Sequence, residues 1–156
     1  MAIFLVQHGR CLSGKEDPEK GLSPLGEEEI ARLAPVAKGY GIPVTQIFHS
    51  GKKRAQQTAA RYQSALGLDA APAVMAGIAP LDDVRAFADT LDPACGWMVV
   101  GHLPFMERLV AYLTTGNEEL RVYRFQNAGI VCLDGETDAQ GNLDWFIKWT
   151  LNPNIT

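Results

Sequence analysis

Two short runs of consecutive apolar residues limit most strongly what this chain can fold into. Ala2–Val6 reads AIFLV and Trp97–Val100 reads WMVV. A strand that is apolar at every position is typical of the centre of a sheet covered on both faces. Helical and strand patterns alternate along the rest of the chain, which predicts an α/β fold with a largely parallel sheet.

Local signals set the boundaries of the other elements. Ser23 followed by Pro24 predicts a helix start, because serine caps free N–H groups and proline suits the first turn. This helix should end near Gly39. We expect further helices at 52–66, 82–91 and 103–115, and further strands at 46–49, 73–75, 128–133 and 143–149. In the last strand, alternation predicts that Trp145, Ile147 and Trp149 share one face.

Length and composition limit the class of protein. With 156 residues and neither a repeat nor a linker, the chain should form one domain over residues 1–156. Its 14 Lys and Arg residues against 18 Asp and Glu residues give a net charge of −4, so we expect neither a nucleic-acid nor a membrane partner. Three widely spaced cysteines predict neither a disulfide framework nor a structural zinc site. A cytoplasmic protein is expected, because no signal peptide or membrane-spanning run is seen.

Polar residues follow three of the predicted strands, where an α/β sheet binds its ligands. These segments are 7–10, 49–54 and 101–104, and they hold all three histidines of the chain. Taken singly, each histidine is typical of a loop, and Lys52-Lys53-Arg54 is typical of a solvated face. Taken together they predict a phosphate site, because histidine can attack phosphorus and a transferring phosphoryl group needs several cationic donors.

The order of these motifs resembles the histidine phosphatase superfamily. The motifs are Gln7-His8-Gly9, then LSPLG at 22–26, SGKKRAQQTA at 50–59 and GHLP at 101–104. Within the superfamily, the short length and the GHLP motif are most similar to SixA-type phosphohistidine phosphatases. The resemblance implies a phosphoglycerate mutase-like, three-layer α/β/α fold. It also implies a metal-independent phosphatase without a cofactor, acting on phosphohistidine of a protein or, next, on a small phosphoester.

The resemblance assigns roles to individual residues. His8 matches the nucleophile that becomes phosphorylated, Arg54 matches a phosphate-binding arginine, and His102 matches the second histidine, which supports the transferring group. Ser50 lies where the family's loop approaches the phosphate, whereas His49 matches no catalytic position. The residues expected at the phosphate are Gln7, Gly9, Arg10, Ser50, Arg54 and His102.

Position 7 departs from the family pattern, because Gln7 stands where these enzymes carry arginine. Glutamine donates two hydrogen bonds but carries no charge. Arg10, Lys52 or Lys53 could restore the charge, although Arg10 is equally typical of a solvent-facing loop. A weakly active protein, or a non-catalytic module that binds phosphate or a phosphoprotein, therefore stays open as an alternative function.

The leaving group of such a reaction also needs a proton donor. Asp82 and Asp83 open the third predicted helix, where they could serve as the acid. Aspartate is also favoured as a helix cap, which is the plainer explanation of both residues.

Overall fold

A computed structural model describes residues 2–155, and its centre is a six-stranded sheet. The strands, in chain order, are β1 (Ile3–Gln7), β2 (Gln46–His49), β3 (Ala73–Val74), β4 (Trp97–Gly101), β5 (Ile130–Thr137) and β6 (Leu143–Leu151). The helices are α1 (Pro24–Gly39), α2 (Lys53–Leu66), α3 (Val84–Ala88) and α4 (Phe105–Thr115). None of the helices in 2–155 is long and apolar enough to cross a lipid bilayer.

The order of strands in the sheet is β3-β2-β4-β1-β5-β6. β1, β2, β3 and β4 run parallel, while β5 and β6 pair antiparallel at one edge. The predicted α/β fold with a largely parallel sheet is confirmed. The parallel arrangement brings the carboxyl ends of β1, β2 and β4 to the same edge.

Strand β1 is buried on both faces, as its unbroken apolar run predicts. Phe4 and Val6 join one core beneath α1 and α2. Ile3 and Leu5 join a second core beneath α3 and α4. All four side chains are at most 1% exposed, so β1 holds the two layers of helices together.

Helix α1 begins and ends where the sequence predicts. The Ser23 hydroxyl oxygen accepts the N–H of Gly26 at 3.1 Å, and Pro24 occupies the first turn. Gly26 also lets the helix approach the loop after β1, because a Cβ at this position would collide with the backbone of Arg10. The close contact holds Arg10, two residues after His8, against the start of α1.

Two predictions for the later elements are wrong. The third helix covers only Val84–Ala88, because the Asp83 side chain accepts the N–H groups of Arg85 and Ala86 and so begins the helix late. At the other end, the Thr90 hydroxyl donates to the Phe87 carbonyl oxygen at 2.7 Å in the turn that follows the helix.

The second error concerns the face of Trp149. A bulge between Cys132 and Leu133 shifts the register, so that Cys132 pairs with Trp149 and Leu133 pairs with Ile147. Ile147 and Trp145 therefore face the core beneath α3 and α4, while Trp149 packs against the opposite core. A bulge breaks the two-residue alternation on which the prediction was based.

Two glycines of α1 provide a matched test of this packing. We expect Gly26→Ala to lower the free energy of unfolding by about 2 kcal/mol or more, because the new methyl group meets backbone that cannot move aside. Gly39→Ala should raise it by roughly 0.5 kcal/mol, because nothing lies within 4 Å of a Cβ there and alanine favours the helix. Urea unfolding of both variants checks the pair, and equal stabilities would contradict the close contact at Gly26.

Candidate active site

The three polar segments predicted from the sequence meet at one edge of the sheet. His8 directly follows β1, Ser50 follows β2 and His102 follows β4. The backbone N–H of His8 donates to the carbonyl oxygen of Gly101 at 3.0 Å, which continues the β1–β4 pairing past the end of β1. The rings of His8 and His102 lie with their centroids 5.0 Å apart.

His8 is oriented with one ring nitrogen available for chemistry. Its Nδ1 lies 2.7 Å from the carbonyl oxygen of Gly9, which can only accept, so we assign the hydrogen to Nδ1 and the lone pair to Nε2. The Nε of Arg54 donates to this Nε2 at 3.3 Å. Burial lowers the pKa of His8, and the positive charge of Arg54 lowers it further. The hydrogen bond to the Gly9 carbonyl oxygen raises the pKa and offsets part of this lowering. The neutral, nucleophilic form is therefore favoured.

His102 is almost completely buried, at 1% exposure. Its Nε2 lies 2.6 Å from the Ser50 hydroxyl oxygen, and its Nδ1 makes no hydrogen bond within residues 2–155. Burial lowers the pKa of His102 to about 3, and the nearby His8, Arg54 and Lys52 act in the same direction. An anionic ligand would favour its protonated form and so make it a donor.

The three consecutive cations at the start of α2 have different surroundings. Arg54 contacts His8, and Lys52 is close enough to influence the pKa of His102. Lys53 instead pairs with Asp17 at 2.8 Å, which holds the pKa of that carboxyl at about 2 and raises the pKa of Lys53. Of the two lysines, Lys52 is the one near the histidines.

Gln7 and Arg10 both lie near His8 in the chain, but only Arg10 has a side-chain partner among the described residues. The Gln7 side chain makes no hydrogen bond within the described part of the chain, and its buried Oε1 lacks a donor. The Nε of Arg10 donates at 2.8 Å to Glu29, which is 1% exposed. Because a buried carboxylate needs its cation, Arg10 serves first to neutralise Glu29. The Arg10 side chain is nevertheless 51% exposed.

Several polar side chains hold the backbone around His8. The Thr58 hydroxyl accepts the N–H of Gly9 at 2.9 Å and donates to the carbonyl oxygen of Arg54 at 2.7 Å. Thr58 therefore joins the two segments that carry His8 and Arg54. The Asn127 amide donates to the carbonyl oxygen of His8 at 2.9 Å. Sequence reasoning missed Asn127, because its partner is a backbone atom 119 residues away.

Three other residues singled out in the sequence, His49, Asp82 and Asp83, bind backbone N–H groups. His49 Nδ1 accepts the N–H of Gly51 at 3.0 Å, which agrees with a structural role. Asp82 accepts the N–H of Ala79 at 2.8 Å, and Asp83 caps α3. The capping alternative for the two aspartates thus agrees with their contacts. No group of three or more His, Cys, Asp or Glu side chains placed to hold a metal ion occurs within residues 2–155.

Comparison with known proteins relates the N-terminal part of the chain to a known family. Residues 3–75 match the model of the histidine phosphatase superfamily, branch 1. The matched stretch is just under half of this chain and is similar to that superfamily. The match agrees with the resemblance seen in the motifs and supports the prediction of a phosphatase. No curated protein sequence matches the chain significantly.

Solved structures share the fold over nearly the whole chain. The protein histidine phosphatase SixA complexed with tungstate is 23% identical with a TM-score of 0.78, over 98% of this chain and 97% of that one. An Agrobacterium tumefaciens protein provisionally named as the phosphohistidine phosphatase SixA is 20% identical, with a TM-score of 0.74 and coverage of 97% of both chains. A mycobacterial glucosyl-3-phosphoglycerate phosphatase is 16% identical with a TM-score of 0.63, over 94% and 96% of the two chains. The predicted phosphoglycerate mutase-like fold is confirmed.

The lowered histidine pKa values can be tested by NMR titration. We expect the ring of His102 to stay neutral down to about pH 4, well below the ordinary histidine pKa of 6.5. Because the unfolded chain takes up the proton more readily, the free energy of unfolding should fall as the pH drops below 6.5. A His102 signal that titrates near pH 6.5 would contradict the burial of this ring.

Proposed function

We propose that this protein is a metal-independent phosphatase that forms a phosphohistidine at His8 and acts on phosphohistidine of a protein. The observation that carries the proposal is the His8 Nε2 lone pair, held beside Arg54 Nε at 3.3 Å. A neutral imidazole next to a guanidinium pairs a nucleophile with a donor for phosphoryl oxygens. The match of residues 3–75 to the superfamily supports a phosphorylated substrate in general.

The first chemical step transfers the phosphoryl group to His8. The Nε2 of His8 forms a bond to phosphorus while the bond from phosphorus to the substrate's imidazole nitrogen breaks. The leaving nitrogen keeps the electron pair of the broken bond and takes up a proton from solvent water. Arg54, together with protonated His102 and Lys52, stabilises the charge spread over the phosphoryl oxygens in flight.

The second step returns the enzyme to its starting state. Water attacks the phosphorus of phosphorylated His8 and breaks the bond to Nε2, which releases inorganic phosphate and the neutral histidine. The hydrogen bond from Nδ1 to the Gly9 carbonyl oxygen holds the ring in one orientation through both steps. These donors are cations and hydrogen-bond donors of the chain itself, which supports a mechanism without a metal.

Phosphohistidine is the substrate class that suits this site best. Its leaving imidazole needs less help from an acid than an alkoxide does, and the carboxylates of Asp82 and Asp83 are occupied by backbone N–H groups. The loop between β1 and α1 closes on itself, with Leu12 N–H donating to the Gly21 carbonyl oxygen at 2.8 Å. His8 is half-buried beside this short loop, so it is open to a histidine on a protein surface.

A small phosphoester is the second candidate substrate, and the fold shared with the mycobacterial glucosyl-3-phosphoglycerate phosphatase supports it. Binding of a phosphoprotein without catalysis is the alternative from another class. Gln7 favours this alternative, because one charge-assisted phosphate contact of the family pattern is absent.

The role of His8 predicts a covalent intermediate. We expect His8→Ala to lower phosphohistidine hydrolysis at least about a thousandfold, since the nucleophile is lost. Rapid-quench labelling with ³²P-phosphohistidine should trap an acid-labile, base-stable phosphoprotein in the wild type and none in this variant. His49→Asn is the matched control and should retain activity within about tenfold, because asparagine can also accept the Gly51 N–H. Equal labelling of wild type and His8→Ala would refute the mechanism.

The missing charge at position 7 predicts a gain of activity. Gln7→Arg should raise kcat/KM for phosphohistidine by roughly 10- to 100-fold, because a charge-assisted bond to the phosphoryl group is added. Steady-state kinetics with phosphohistidine and with an aryl phosphate measure the change. If the wild type turns over neither substrate while Gln7→Arg gains activity, the wild type is a binding module rather than an enzyme.

A further inference from the structure

A short contact joins Ser50, in the loop after β2, to His102, which follows β4. The Ser50 hydroxyl oxygen lies 2.6 Å from His102 Nε2, which is short for a hydrogen bond that involves nitrogen. His102 is buried, with 1% of its surface exposed, whereas Ser50 is only half-buried. Ser50 is therefore the member of this pair that a ligand can reach.

Neither ring nitrogen of His102 is open to a ligand. Its Nδ1 is buried and makes no hydrogen bond within residues 2–155, and its Nε2 is occupied by the Ser50 hydroxyl. A phosphoryl oxygen that bonded directly to Nε2 would first have to displace the serine. With Ser50 in place, His102 acts on a ligand through the hydroxyl group.

The bonds of the Ser50 hydroxyl show which part of it is left for a ligand. A hydroxyl group has two lone pairs and one hydrogen. A protonated His102 carries a hydrogen on Nε2, which the Ser50 oxygen accepts. The backbone N–H of Lys52 donates to the same oxygen over a longer distance of 3.4 Å. Both lone pairs are then used, and the hydroxyl hydrogen has no other acceptor among the described residues.

The Ser50 loop lies at the edge of the sheet where the phosphoryl group is transferred. Arg54, four residues after Ser50, donates to His8 Nε2 at 3.3 Å, and the rings of His8 and His102 are 5.0 Å apart. His49 Nδ1 accepts the N–H of Gly51 and so fixes the turn that carries Ser50. The free hydroxyl hydrogen therefore belongs to a fixed loop beside the nucleophile and its cation.

We propose that the Ser50 hydroxyl donates a hydrogen bond to an oxygen of the transferring phosphoryl group, and that His102 acts on this group through Ser50 without touching it. Ser50 is then a catalytic residue and His102 a positioning residue. A protonated ring at His102 polarises the hydroxyl and makes it a stronger donor, while the ring itself stays buried. The inference rests on the proposed function, because the anion concerned is the phosphoryl group that His8 receives.

A double-mutant cycle on the binding of phenylphosphonate, which cannot be hydrolysed, provides the test. We expect calorimetry to show that Ser50→Ala weakens binding about tenfold or more, because a hydrogen bond to a charged group is lost. His102→Phe keeps a ring in the buried space and should weaken binding by no more than Ser50→Ala does. The double variant should bind as Ser50→Ala does, because His102 has no path to the ligand without the serine.

Two outcomes of the cycle would overturn the proposal. One is binding by Ser50→Ala as tight as by the wild type. The other is a double variant whose loss equals the product of the two single losses, because the residues would then contact the anion independently. Ser64→Ala is the matched control, since Ser64 is exposed on α2 and should bind as the wild type does. Ser50→Thr keeps the hydroxyl and should retain most of the affinity.

A crystal structure of the wild type with phenylphosphonate gives a second readout that needs no variant to fold. A phosphonate oxygen within about 3 Å of Ser50 Oγ, with Oγ still bonded to His102, supports the proposal. A direct bond from His102 Nε2 to the phosphonate overturns it.

The cycle also separates this inference from the proposed function, because binding of a phosphonate does not depend on turnover. A non-additive cycle in a wild type that leaves phosphohistidine intact would support the role of Ser50 and refute the phosphatase mechanism. An additive cycle in a wild type that hydrolyses phosphohistidine would do the reverse.

Discussion

The hydrogen bond from His8 Nδ1 to the Gly9 carbonyl oxygen is the contact on which the rest of the site depends. It turns Nε2 towards Arg54 and leaves that nitrogen with its lone pair. The Gly9 N–H is in turn held by Thr58, which is fully buried on α2. The segment that carries His8 is therefore tied through Thr58 to the same helix that supplies Arg54.

Burial and positive charge act together on the two histidines. Both lower the pKa values, so that the rings stay neutral while the site is empty. A bound phosphoryl dianion opposes this effect, because it stabilises a protonated His102 beside it. Both residues are histidines, yet the site can offer two different groups. His8 stays neutral and so able to act as a nucleophile, and His102 becomes a cationic donor once an anion has bound.

The sequence predicts the parts of this site that depend on strand ends. His8 and His102 meet because β1 and β4 are parallel neighbours, and the apolar runs already indicate two central strands. The contact of Arg10 with Glu29 was not predictable in this way. It depends on the tight approach of α1 to the loop after β1 at Gly26, which no periodicity reveals. The same limit applies to Asn127, whose partner is a backbone atom.

The charge at position 7 is best understood together with its surroundings. An arginine there would share a cavity with Arg10 and Arg124, and like charges within one cavity destabilise each other. Glu29 compensates Arg10, and Glu107 is already paired with Arg121. A neutral glutamine avoids placing a third cation there.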